Sequence, residues 1–172
     1  MNKCAKTLVG AGEVRLRSFR LLRKGVPSVH ECHALHYLQM ASEKICKAYL
    51  WRSGNAPPKR HVGLMQFLQA LLSRGQSRRE QQRIAEIFDY SRPEDMAAWV
   101  RQVAPLAHQL QNLAPDLAND GPNTEYPWPH DKPPYCPALF KFSLWTELRD
   151  NEPRRRLVKF LRRAIERFEQ YA

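Results

Sequence analysis

Apolar positions recur at spacings of three and four along most of the chain, the repeat of a helix face. The pattern predicts a basic helix from about Glu13 to Lys24, ended by Gly25 and Pro27, with residues 1–12 loosely ordered ahead of it. Ser28 is placed to cap a long helix that reaches about Trp51 on the stripe Leu35, Leu38, Ser42, Ile45 and Tyr49. The run Gly54-Asn-Ala-Pro-Pro breaks it. A third helix follows His61, with Leu64, Phe67, Leu68 and Leu71 on one face, and Gly75 stops it. Ser77 and Glu80 form a capping-box signal for a fourth helix, whose core positions are Ile84, Ile87 and Phe88. Ser91 and Glu94 repeat that signal, and Pro93 falls in the first turn, where a missing N–H costs nothing. The fifth helix carries Met96, Trp99, Val103, Leu106, Leu110 and Leu113, with a kink expected at Pro105.

The periodicity dissolves from Ala114 to about Pro137, where prolines at 115, 122, 127, 129, 133, 134 and 137 alternate with Tyr126, Trp128 and Tyr135. Phe140 to Trp145 reads as a short extended piece. A last helix starts near Pro153 on Leu157, Phe160, Leu161, Ala164, Ile165, Phe168 and Tyr171. No internal repeat and no strand-rich segment interrupts this order. The expected architecture is all-α: one domain over residues 1–172, an up-and-down bundle of about five to six helices, with a Pro/aromatic-rich loop at 114–150 before the last helix.

Composition bears on partners more than on fold. The chain has 172 residues and a formal net charge of +11, which favours a polyanionic partner such as nucleic acid or an acidic protein. No apolar run is long enough to span a bilayer, so no membrane role is expected. Met1 to Gly12 lacks the apolar centre of a signal peptide, and cytoplasmic residence is the expectation. Cysteines 4, 32, 46 and 136 include no C-x-x-C pair and read as ordinary thiols.

Several constellations could carry chemistry. His36, Gln39, Glu43 and Lys47 recur at three and four residues, a polar stripe beside the apolar one. It reads either as a groove lining that holds a phosphate or base, with Lys47 as the cation, or as a surface ion pair from Glu43 to Lys47. His61, beside Lys59 and Arg60, sits at a helix start, where unpaired N–H groups favour an anion; a structural N-terminal histidine is the alternative. His30, Cys32, His33 and His36 suggest zinc, but a third and fourth convergent ligand would have to come from elsewhere, and no metal or cofactor is expected. The last helix carries Arg156, Lys159, Arg163 and Arg167 on one face, widened by Arg155 and Arg162, and Arg74, Arg78, Arg79 and Arg83 fall on another helix. Such a face is either simply solvated or a contact for an RNA or DNA backbone. Tyr126 and Trp128 could stack a base or lid the bundle, and Asn123 and Glu125 beside them are groove candidates.

The segment His36-Tyr-Leu-Gln-Met-Ala-Ser-Glu-Lys-Ile-Cys-Lys-Ala-Tyr-Leu50 resembles the long helix of HEPN domains (higher eukaryotes and prokaryotes nucleotide-binding). The matching positions are His36, Gln39, Ala41, Glu43-Lys44, Lys47-Ala48 and Leu50. The resemblance continues at Pro57-Pro-Lys-Arg-His61-Val-Gly-Leu64, a Pro-rich turn leading to a His and an apolar helix. A third echo is Asn123-Thr-Glu-Tyr-Pro127, where many relatives have Arg-Tyr-Pro. The resemblance implies a helical bundle that binds nucleic acid or nucleotides, forms homodimers, and belongs to prokaryotic defence or toxin–antitoxin systems, some with a nucleotidyltransferase antitoxin as partner. On this basis His36, Gln39, Lys44, Arg60, Asn123, Glu125, Tyr126, Arg156, Lys159 and Arg163 are the expected binding residues.

Some HEPN proteins are metal-independent ribonucleases with four to six residues between an Arg and a following His. Arg23 with His30 and Arg101 with His108 fit that spacing, but about two such matches arise by chance in a chain this rich in Arg. Near the Tyr-Pro segment this chain has Glu125 in place of Arg, and a carboxylate cannot stabilise a phosphate transition state as a guanidinium does. If the protein is an enzyme, it is a divergent endoribonuclease drawing on His61, Glu43 and Lys47. A non-catalytic dimerising partner protein is the remaining alternative.

Overall fold

A computed structural model describes residues 3–23, 30–54, 56, 62–73, 77–113, 136–150 and 152–171. They form seven α-helices: α1 (Lys3–Arg23), α2 (Glu31–Arg52), α3 (Gly63–Ser73), α4 (Arg78–Ile87), α5 (Pro93–Gln111), α6 (Ser143–Asp150) and α7 (Glu152–Glu166). Short 3-10 turns add Pro137–Leu139 and Phe168–Tyr171, and no strand occurs among the described residues. The all-helical bundle expected from the periodicity is therefore present.

The first helix corrects the sequence reading. It begins at Lys3, so residues 3–12, expected to be loose, are helical. Ala5, Val9, Gly12, Leu16 and Phe19 lie at alternating spacings of four and three, and all are buried. Gly12 is the reason α1 can lie so close to α2. A Cβ there would stand 2.6 Å from Ile45 Cγ1 and 3.3 Å from the Ala41 carbonyl oxygen. A residue that looks like a helix breaker in the sequence is a close-packing site in the fold.

Helix α2 is the axis of the bundle, packed by α1, α3, α5, α7 and the Pro137–Leu139 turn. Leu35, Leu38, Ser42, Ile45 and Tyr49 are buried as expected, and so are Cys32, Ala34, Ala41, Cys46 and Ala48 on its other sides. Its N-cap is His30 in extended backbone; Ser28, the expected cap, lies outside the described residues. Burying residues on most sides of a helix weakens its amphipathic signature, because only a narrow strip, through His33, Met40 and Lys44, is left to solvent.

Caps explain two further boundaries. Ser77 accepts the Glu80 backbone N–H at 3.3 Å, as its sequence position predicts. At α5 the cap moves from Ser91 to Arg92, in extended backbone with Pro93 as the first helical residue. Proline disfavours helical backbone at the residue before it, which makes Arg92 the last non-helical position. The expected box gives way to an Arg92–Asp95 fork, with Nε and Nη2 donating to the carboxylate at 2.9 and 2.7 Å. Helix α5 then runs through Pro105 to Gln111. Arg101 and Pro105 are both exposed, so the carbonyl left without an N–H partner lies on the wet side.

The stretch expected to be extended, Phe140–Trp145, instead enters α6, where Leu144 and Leu148 are buried one turn apart. Helix α7 starts at Glu152 with Pro153 in its first turn. Rings join α2 to the outer helices. Tyr49 meets Phe67 at 4.7 Å and Tyr171 at 4.5 Å, Phe88 stacks on Phe160 at 4.7 Å, and Trp99 meets Phe160 at 4.8 Å. The Tyr49 hydroxyl donates to the Ala164 carbonyl, tying α2 to α7, and burial pushes its ionisation far above the ordinary tyrosine range.

Candidate functional site

The end of α4 builds one wall of a surface cleft. Tyr90 N–H donates to the Ala85 carbonyl at 2.9 Å and Asp89 N–H to the Glu86 carbonyl at 3.1 Å, the bond pattern of a Schellman C-cap. Asp89 occupies the left-handed position (φ 64°) that glycine usually takes. This turn directs the chain so that Asp89 and Tyr90 face α7. Between them, α5 and α7 lies a cleft of about 630 Å3.

Its inner part is aromatic, with Tyr90 5.8 Å from Trp99 and Trp99 against Phe160. Trp99 is only 3% exposed, so the half-buried Tyr90 ring is the one a ligand can reach. Burial pushes the Tyr90 phenol well above its ordinary value, while the nearby Arg156 charge pulls the other way. The rim carries Arg156, Lys159 and Arg163 from α7, Asp95 and Gln102 from α5, and Asp89 and Glu152.

Three of the expected binding residues thus meet in one place. Arg163 is held by Asp89, which raises the guanidinium's ionisation first through that hydrogen bond, and by Glu166 at 2.9 Å. Lys159 stands 4.0 Å from Glu152, which Arg155 also pairs at 3.0 Å. The Asp95 carboxyl is held below the usual carboxylate range by its hydrogen bond from Arg92. Arg156 is exposed and has no ion pair among the described residues.

The α2 stripe forms a different group, and none of it is among the described residues lining the cleft. Gln39 is 3% exposed and donates from Nε2 to the Gln111 carbonyl at 3.1 Å, joining α2 to the end of α5. Glu43 and Lys47 pair directly, with side chains 10% and 17% exposed. This pair sits under the start of α3: a Cβ on Gly63 would lie 3.4 Å from Lys47 Cγ and 3.5 Å from the Glu43 carbonyl oxygen. Among the described residues the ion pair is therefore mostly covered by the start of α3. His36 is half-buried with its ring edge-on to Tyr37, and Lys44 is partly exposed. Arg60, His61, Asn123, Glu125, Tyr126 and Trp128 lie outside the described residues.

The suggested zinc ligands do not converge. Cys32 is buried while His30 and His33 are exposed, and no group of three His, Cys, Asp or Glu side chains among the described residues could hold a metal ion. Burial pushes the Cys46 thiol well above its ordinary range, with the Glu43 charge adding to the effect, and burial also raises Cys32. No helix among the described residues is long and apolar enough to cross a membrane.

Sequence reasoning found the cations of the cleft and missed Asp89, Tyr90, Asp95, Gln102 and Glu152, and it read Trp99 only as core. The available signal was the absence of glycine after Phe88, which puts a polar residue into a helix-ending turn. Compared with family models, with curated proteins and with solved structures, the chain matches none.

Proposed function

We propose that this chain is a nucleic-acid- or nucleotide-binding helical module of the HEPN type, working through the outer face of α7. The observation that carries the reading is the one-sidedness of that helix. Leu157, Phe160, Leu161 and Ala164 are buried, while Arg155, Arg156, Lys159 and Arg162 are exposed on the opposite side. Several of these cations have carboxylate neighbours, but exposed pairs exchange readily for phosphate because each is worth less than about 1 kcal/mol. The net charge of +11 supports the same partner class.

The HEPN assignment itself rests on the α2 pattern from His36 to Leu50 and the turn from Pro57 to Leu64. With it go the expectations of a homodimer, a cytoplasmic setting, and a nucleotidyltransferase antitoxin as partner in prokaryotic defence. Glu43 and Lys47, paired beneath α3, support a structural part for the stripe in this reading.

The test is fluorescence polarisation of labelled single-stranded RNA in EDTA. Neutralising about four phosphates gives a salt slope near −2.8 and an affinity loss of about 50-fold from about 50 to about 200 mM salt. Arg155→Glu with Arg162→Glu is expected to weaken binding at least about tenfold and change stability by no more than about 0.5 kcal/mol. Lys141→Gln, an exposed lysine away from α7, leaves binding unchanged. Binding that ignores both salt and the α7 substitutions overturns the reading. RNA cleavage in EDTA that His61→Ala abolishes would make the protein a metal-independent ribonuclease instead.

A further inference from the structure

Cations and carboxylates alternate around the α5–α7 cleft, and their pairing sets which cation can meet a ligand without first giving up a carboxylate. Asp89 and Glu166 share Arg163. Glu152 stands between Arg155 and Lys159. Asp95 is taken by Arg92, outside the cleft. Among the described residues this leaves one positive charge without a carboxylate, Arg156, at the mouth of a cavity whose reachable ring is Tyr90. A cavity of about 630 Å3 also falls within the range of roughly 300–1,000 Å3 in which small ligands are usually held.

We propose that the cleft takes a nucleoside monophosphate unit, with one phosphomonoester on Arg156 and a planar base against Tyr90. This rests on the nucleic-acid and nucleotide reading above and narrows it. A guanidinium meets a phosphate through two parallel N–H···O bonds, which makes a single unpaired Arg sufficient for one phosphate. A second and third phosphate would bring their charge toward Asp89 and Glu152, where the rim cations among the described residues, Lys159 and Arg163, already have carboxylate neighbours. The base has an aromatic face at Tyr90, backed by Trp99, and the exposed Gln102 amide offers a donor and an acceptor at its edge. The unit has two sources: a free mononucleotide, or the phosphorylated end of a single strand.

Asp89 makes the proposal testable in both directions. Its backbone is in the conformation glycine prefers, so Asp89→Gly keeps the turn while removing from the rim one of the two carboxylates that hold Arg163. Arg156 is exposed, so Arg156→Gln removes a charge without opening the core.

The experiment is isothermal titration of the full chain in EDTA with adenosine 5′-monophosphate, adenosine and ATP. The monophosphate is expected to bind once per chain, adenosine about tenfold or more weakly, and ATP no more tightly than the monophosphate. Arg156→Gln is expected to cost about tenfold in monophosphate affinity, and Lys141→Gln nothing. Asp89→Gly is expected to move ATP ahead of the monophosphate. Competition with a 5′-phosphorylated hexa-adenylate and its unphosphorylated form separates the sources. Displacement by the phosphorylated strand alone assigns the strand end, displacement by neither assigns the free nucleotide, and displacement by both overturns the phosphate requirement. ATP binding tighter than the monophosphate in the unaltered protein, or Arg156→Gln matching Lys141→Gln, also overturns it. Salt-sensitive RNA binding with no monophosphate binding sinks this inference and leaves the α7 reading standing; loss of both removes both.

Discussion

Two carboxylate–cation pairs occupy opposite kinds of ground in this bundle. Glu43 and Lys47 sit between α2 and the start of α3, with side chains 10% and 17% exposed. Asp89 and Arg163 sit at the edge of the cleft, 51% and 30% exposed. Both look alike as contacts, but removing one partner has different consequences. Inside, the remaining charge has little access to water, so the pair is bound into the fold. At the cleft, the remaining charge meets water at little cost and is released for a ligand. The first kind of pair holds structure; the second can be exchanged.

The largest effect expected from this comparison is at Glu43. Glu43→Ala should lower unfolding free energy by about 2–4 kcal/mol, because Lys47 stays mostly buried. RNA and monophosphate affinity of the folded fraction should be unchanged. Urea denaturation followed by circular dichroism measures the first and polarisation the second. A stability loss no greater than that of the Arg155→Glu, Arg162→Glu double variant would erase the distinction between the two regions.

The wall on the other side of α2 gives the next effect. Gly12→Val places side-chain atoms against Ile45 and the Ala41 carbonyl, where a Cβ alone already comes within 2.6 Å. The expected cost is about 1–3 kcal/mol in denaturant melts, with the cleft's ligand affinity untouched. An unchanged midpoint would mean that α1 does not pack as closely as described.

The smallest effect belongs to the rim. The hydrogen bond from Arg92 lowers the folded-state pKa of Asp95, so the contribution of this group is present above its unfolded value of about 3.9 and is lost as pH falls through the lower folded value. Asp95→Asn should therefore lower thermal midpoints slightly at neutral pH and flatten their fall below about pH 4. The side chain is exposed, so the change should be much smaller than at Glu43. An acid limb that keeps its full slope in the variant would show that Arg92 leaves the Asp95 carboxyl untouched.

How far the sequence was readable follows from burial. The basic face of α7 was legible because its cations stay outside and its apolar stripe stays inside, the arrangement that periodicity reports. Ser77 and Glu80 were legible because a cap is a local matter of one turn. Residues 3–12 of α1 were misread as loosely ordered; propensity weighs a glycine such as Gly12 by its backbone freedom and ignores what lies opposite. The polar stripe of α2 was found, but its place was not. Spacings of three and four put His36, Gln39, Glu43 and Lys47 on one face without saying that α3 and the end of α5 would close over much of it.

By itself the sequence determined the helical class, the core faces of α3, α5 and α7, the strong positive charge and the cations of the cleft, all of which depend on residues within a few turns of one another. Only the tertiary structure decided which charges are available. Arg163 meets Asp89 across 74 residues, and the Gln39 amide meets the Gln111 carbonyl across 72. Charge strength in a protein depends on distance and on exclusion of water, and both are set by which helices pack together. Arg155, Arg156 and Arg163 read alike along the chain; the fold leaves Arg156 as the cleft cation without an ion pair among the described residues.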